Sequence, residues 1–265
     1  MYINTMNSNS VINFKDLPFD ILNHIASYLD VFDCISMSKV TKQEYDTCEL
    51  TKINTEKKFD IIPKKYHNKL EINFYVIGRN INKYVNIHSL NKLDINVSDV
   101  SMLLNLHTLD CSQTKVTNIS MLGNLHTLIC SSTKVTDVNM LGTLHTLNCS
   151  YTKVTKVSML GNLHTLDCSS TKVTDVSMLG KLHILNCSDT KVSDVSMLGN
   201  LHTLDCSLTN VSDVSMLGNL NTLICSDTPV SDVSMLGNLY TLDCIDTQVT
   251  DVSMLTNVKH LYHSL

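Results

Sequence analysis

V-S-M-L-G-N-L-H-T-L-D-C-S-S-T-K-V-T-D, residues 157–175, is one copy of a phrase that repeats every nineteen residues from Leu106 onward without an insertion. The first leucine of the phrase's L-x-x-L falls at Leu106, Leu125, Leu144, Leu163, Leu182, Leu201, Leu220 and Leu239, and Val258 takes the ninth place. A unit this short cannot bury an apolar face against itself, so successive units must stack and share one interior. Stacking makes a solenoid, whose extended surface suits the holding of a partner. The chain therefore reads first as a binding protein.

Within each unit, L-H-T-L-D-C reads as a short strand. Leu106, Leu109 and Cys111 are expected to face inward, while Thr108, Asp110 and Ser112 take the open face, because strand side chains alternate. Val116, Ile119 and Leu122 supply further inward residues as the chain returns along the outer side. Too few residues remain for a helix there, so turns or 3₁₀ segments are expected. Gly123 and its equivalents are expected to permit a bend that a Cβ would hinder. The aspartates before V-S-M-L, such as Asp175 and Asp194, are placed to cap the next free amides.

The chain of 265 residues is 43% hydrophobic and 17% charged, which supports an ordered core. A net charge of −5 offers no concentrated basic face for nucleic acid. No stretch approaches 18 uninterrupted apolar residues, so no membrane span is expected, and the N-terminus lacks a secretory pattern. Eight of the ten cysteines form a strict series from Cys111 to Cys244. Each sits where a buried aliphatic group belongs, and free cysteine behaves there as a small hydrophobe. Ladder thiols have parallel Cβ vectors, poor geometry for disulfides. A reducing, intracellular setting is the expectation.

His107, His126, His145, His164, His183 and His202 form a second ladder. Parallel rings cannot converge tetrahedrally on one ion, so the expected arrangement is a stacked, partly exposed row with no metal. No phosphate loop, G-x-S-x-G or His-Cys pair is visible, and no cofactor or enzymatic activity is expected.

Four regions follow. Residues 1–13 are an Asn- and Ser-rich flexible start, 14–50 carry helical patterning, 51–86 form a connector without a clear period, and 87–265 are the solenoid. Leu90 to Leu106 is sixteen residues, which reads as an atypical capping unit. The last strand leaves an edge exposed unless a partner or second copy covers it.

Leu163, Leu166, Cys168 and Thr171 make an L-x-x-L-x-C-x-x-T pattern that resembles the leucine-rich-repeat family, and the V-T-D-V-S-M-L stretch is similar to its internalin-type subclass. The resemblance implies an α/β-type repeat solenoid with a parallel β-sheet on the concave face and short turns on the convex one. Thr stands where the family carries the asparagine of a hydrogen-bonded ladder, and Cys replaces the third leucine. Upstream, Leu17, Pro18, Ile21, Leu22, Ile25 and Leu29 lie in L-P-x-D-I-L-x-x-I-x-S-Y-L, which resembles the F-box. Cys34 departs from the usual leucine and Glu44-Tyr45 from the usual tryptophan.

That resemblance implies that these six residues contact the adaptor subunit linking F-box proteins to a cullin scaffold. The protein would then be the substrate-recognition adaptor of a cullin-based ubiquitin ligase, with an unidentified protein target on the concave face. Candidate target-binding residues are those that vary within the fixed frame: Asp110, Asn148, Tyr151, Asp167, Asp189, Asp205, Leu208 and Tyr240. Ordinary drift on a solvated sheet is the alternative for any one of them. The Asn-, Ile- and Lys-heavy style also resembles F-box/leucine-rich-repeat proteins encoded by giant DNA viruses, which implies action in a host cytoplasm. Two alternatives stand beside this reading. One is an interaction scaffold or decoy without a ligase. The other, an internalin-like adhesin, would need a secretion signal and a surface anchor.

Overall fold

The computed structural model describes residues 96–264 together with Ser89, Leu90 and Leu93, and, as backbone only, four two-residue strands further upstream. Those four are β1 (Tyr2–Ile3), β2 (Ile12–Asn13), β3 (Lys52–Ile53) and β4 (Glu71–Ile72). They are followed by β5 (Ser89–Leu90), β6 (Thr108–Asp110), β7 (Thr127–Ile129), β8 (Thr146–Asn148) and β9 (Thr165–Asp167). The remainder are β10 (Ile184–Asn186), β11 (Thr203–Asp205), β12 (Thr222–Ile224), β13 (Thr241–Asp243) and β14 (His260–Tyr262). β1 and β2 pair antiparallel within the segment read as a flexible start. β3 to β14 form one sheet in chain order, every neighbouring pair parallel.

The register corrects one expectation. Leu90 pairs with Leu109, not with Leu106, so the nineteen-residue step already holds across the coil read as a shortened cap. The sheet also continues upstream of residue 87, through Ile72 opposite Leu90 and Ile53 opposite Ile72. The connector thus contributes two strands.

The coils from Leu106 to Leu236 bury the same six side chains. In the first complete coil they are Leu106, Leu109, Cys111, Val116, Ile119 and Leu122, none more than 2% exposed. Sealing one such leucine from water is worth roughly 1.5–3 kcal/mol. The interior is continuous from Leu90 to Leu255. The eight ladder cysteines are free and buried. Burial pushes their thiols up, to about 12 at Cys111, Cys149, Cys187 and Cys225.

The convex return is two turns in succession. In the coil after Asp175, the Leu179 N–H donates to the Val176 carbonyl at 3.0 Å and the Leu182 N–H to the Leu179 carbonyl at 2.9 Å. The Asp175 carboxylate accepts the Ser177 N–H at 2.9 Å, and Asp137, Asp194, Asp213, Asp232 and Asp251 repeat this bond at 2.8–2.9 Å. The capping role read from sequence is therefore the role these aspartates perform. Among the described residues no helix is long and apolar enough to cross a membrane.

The glycine expectation is corrected. No glycine among the described residues has positive φ, and a Cβ at Gly199 would lie 3.6 Å from the Met216 carbonyl oxygen, an ordinary contact. The left-handed backbone falls instead on Gln113 and its equivalents, with φ between 52° and 59°. Glycine at these outer turns is not required by its conformation. Gly199→Ala should therefore stabilise the solenoid by about 0.4–1 kcal/mol through a smaller unfolded-state entropy, read as a raised denaturation midpoint.

Thiol protection offers a second check. Thiolate is the reactive form, and these thiols are buried and protonated at neutral pH. An alkylating reagent should leave the eight ladder cysteines unmodified in the native chain and label all of them in denaturant. Mass spectrometry counts the adducts.

Candidate protein-interaction surface

Parallel in-register strands place each repeat position in a column, with neighbours ~4.8 Å apart. Across the concave face these columns run in a fixed order. A histidine column borders one side, the half-buried Thr108 and Asp110 columns fill the middle, and the Gln113 column forms the opposite border.

The six histidines stack with ring centroids 5.2–5.4 Å apart and planes within 13° of parallel. Backbone carbonyls two residues earlier lie 2.9–3.1 Å from each Nδ1 of His126, His145, His164, His183 and His202. Tyr240 continues this column and meets His260 edge-on at 5.3 Å.

The central column is partly consumed by local structure. Asp110, Asn148, Asp167 and Asp205 each accept the N–H of the serine two residues later at 2.9–3.1 Å. The same serines donate their hydroxyls to the same oxygens at 2.6–2.8 Å. Asn148 also donates through Nδ2 to Asp167 Oδ2, 3.0 Å away on the next coil. These four candidates thus hold the chain as it leaves each strand, and only part of their hydrogen-bonding capacity is left over.

The border column is freer. Tyr151 is 68% exposed and Leu208 58%, and both sit in the left-handed region, at φ 55° and 57°. Asp189 lies in the same column and accepts the Ser170 hydroxyl at 2.8 Å. Tyr151, Asp189 and Leu208 are therefore brought into one line, whereas Tyr240 lies across the sheet from them. The side chain after each left-handed residue explains how that backbone is held. Thr190 donates its hydroxyl to the Cys187 carbonyl at 2.6 Å and accepts the Val192 N–H at 3.4 Å, and the other buried threonines make the first bond too. Thr stands in for the family's asparagine by stapling its own coil.

An asparagine ladder exists elsewhere, and the sequence reading missed it. Asn124, Asn162, Asn200, Asn219, Asn238 and Asn257 donate Nδ2–H to carbonyls twenty residues back at 2.8–3.0 Å. Their regular place in G-N-L, with T-N-V at Asn257, was the available signal. The adaptor-binding candidates Leu17, Pro18, Ile21, Leu22, Ile25 and Leu29 lie outside the described residues.

A left-handed conformation costs a residue with a Cβ roughly 1–2 kcal/mol, and asparagine bears it best among such residues. Leu208→Asn should raise the denaturation midpoint while leaving the circular dichroism spectrum unchanged. A lowered midpoint would mean that the Leu208 side chain stabilises the fold.

Comparison with known proteins follows the same division of the chain. Residues 14–55 match the F-box domain. No curated protein matches the chain. Among solved structures, the internalin inlF of Listeria monocytogenes is 21% identical with a TM-score of 0.61, covering 73% of this chain and 71% of its own. The functional domain of InlJ from the same organism, described as including a cysteine ladder, is 23% identical with a TM-score of 0.60 and covers 83% and 55%. Internalin C2, also from that organism, is 29% identical with a TM-score of 0.56 and covers 62% and 83%. The chain thus carries an F-box domain at residues 14–55 ahead of a solenoid with the leucine-rich-repeat fold.

Proposed function

We propose that this protein is a substrate-recognition adaptor of a cullin-based ubiquitin ligase. The F-box match at residues 14–55, fused directly to a leucine-rich-repeat solenoid, is the observation that carries the reading. In this reading Leu17, Pro18, Ile21, Leu22, Ile25 and Leu29 dock the adaptor subunit, which in turn joins the cullin. The concave sheet holds a target protein, with Tyr151 and Leu208 as its exposed anchors and the polar central column around them. Large apolar side chains among polar neighbours are the usual energetic centres of an interface.

No chemistry is assigned to the chain itself. Its part is to raise the local concentration of a target beside a transferring enzyme, the advantage of any two-headed binder. The place of action is intracellular, in the host cytoplasm for a viral chain.

The departures at Cys34 and Glu44-Tyr45 favour the competing reading of a scaffold or decoy that binds targets without a ligase. Recovery of the tagged full chain from a eukaryotic lysate separates the two. Adaptor and cullin should co-purify with the wild-type chain and be lost from a Leu17→Ala/Pro18→Ala/Ile25→Ala variant whose thermal melting is unchanged. Target proteins recovered without adaptor or cullin would establish the scaffold and end the ligase reading.

A further inference from the structure

We propose that the convex side of the last complete coils, along Met197, Met216, Met235 and Met254, is a docking face for a basic amphipathic helix of a partner protein. This face is separate from the concave surface, and its residues lie outside the 14–55 segment of the sequence.

The four methionines are 64–65% exposed. Each occupies the second central position of its outer turn, between an inward valine, partly buried at Val252 and buried at the others, and a buried leucine whose backbones close that turn at 3.0 Å. Methionine with nothing packed over it is not explained by the core, which its neighbours already fill. Unbranched, polarisable side chains in a row make an apolar surface that adapts to the shape laid on it. A contiguous apolar strip on the outside of a soluble fold marks a contact region.

The borders of the strip define what would lie there. On one side run Asp194, Asp213, Asp232 and Asp251, each fixed by accepting the serine N–H beside its methionine. Hydrogen bonds from those serines hold the four carboxyls below the usual range, so they remain charged at neutral pH. On the other side run Asn200, Asn219, Asn238 and Asn257, each of which donates one amide N–H to a backbone carbonyl. Between Lys191 and Lys259 the chain has neither lysine nor arginine, and four of the eight aspartates there border the strip. The uncompensated charge calls for a cationic partner. Upstream the pattern runs on through Met178 and Asp175 and then breaks, because Lys156 occupies the aspartate position beside Met159.

Spacing selects the partner's conformation. Neighbouring methionines repeat every ~4.8 Å, and one face of an α-helix repeats every ~5.4 Å. Across the three steps from Met197 to Met254 the two rows drift by only ~2 Å. Same-face side chains of an extended strand recur every ~6.8 Å and drift by ~6 Å over the same three steps, more than a full repeat. A helix of about ten residues spans the strip, its apolar stripe on the thioethers and its lysines or arginines over the aspartates.

The probe is a fluorescein-labelled helical peptide with leucine on one face and lysine on its flanks, titrated with the full chain and followed by anisotropy. Saturable binding that weakens with salt is expected. Met197→Gln/Met216→Gln/Met235→Gln should raise Kd at least about tenfold, a loss in keeping with removing an interface centre. Asp194→Asn/Asp213→Asn/Asp232→Asn should raise it several-fold and remove most of the salt dependence. Asn118 already accepts the Ser120 N–H at 3.0 Å, so asparagine preserves the turn. Equal binding by a peptide with glutamate for lysine, or affinity unchanged in the methionine variant, would overturn the proposal. Methionine-dependent self-association in sedimentation without peptide binding would overturn it too, by assigning the strip to a second copy.

Discussion

Parallel backbone pairing between coils nineteen residues apart governs the rest of the structure. A single coil leaves the N–H and C=O groups of its three-residue strand without partners and its leucines half covered. Both needs are met only by an identical neighbour in register. The bonding runs past the strands as well: the Cys187 N–H donates to the Asp205 carbonyl at 2.8 Å and the Asp189 N–H to the Ser207 carbonyl at 2.9 Å. One inserted residue would break these bonds and turn a leucine outward. The absence of insertions over so many repeats is the sequence counterpart of that penalty.

In-register stacking also forces every side chain to live beside copies of itself. Apolar groups gain from this, and amides gain too, since the Asn124 series donates from coil to coil. Charges lose. The chain answers by putting the aspartates of its outer column where the N–H two residues later stabilises each one. The cysteine column follows from size: a thiol fills the last inward position without the bulk of a third leucine, and Thr190 and its equivalents close the narrow corner that results. Stability in such a stack is roughly a sum over coils and their interfaces. The downstream end shows the other face of that rule, since Leu261 in β14 is 46% exposed where its counterparts are sealed.

The inward leucines, the cysteine ladder, the stacked histidines and the aspartate caps were all legible in the sequence, because period and alternation suffice to place them. The register of Leu90 was not. Its unit keeps the second leucine of L-x-x-L and carries Ile87 in place of the first, so counting from one leucine to the next measured unlike positions. The glycines misled for a different reason: outer turns with negative φ accept any small residue, so their regularity carried no conformational demand. The left-handed column was invisible because it contains neither glycine nor asparagine. Asp110, Asn148, Asp167 and Asp205 read as variable surface, yet their shared ability to accept a serine N–H two residues on makes them half structural.

That left-handed column bears on function more directly than any other row. A backbone with φ near 55° favours glycine or asparagine, and aspartate bears it better than most residues. The eight positions hold Gln113, Ser132, Tyr151, Ser170, Asp189, Leu208, Asp227 and Asp246. Tyrosine and leucine are poor choices there for stability, and both side chains extend into solvent, where they contribute nothing to the core. Costly conformations outside the core gather where a ligand or partner is met. The serine and aspartate neighbours along the same border would form the polar margin around such anchors. Stability alone does not account for Tyr151 and Leu208; under the proposed function both would serve as anchors at this border of the concave face.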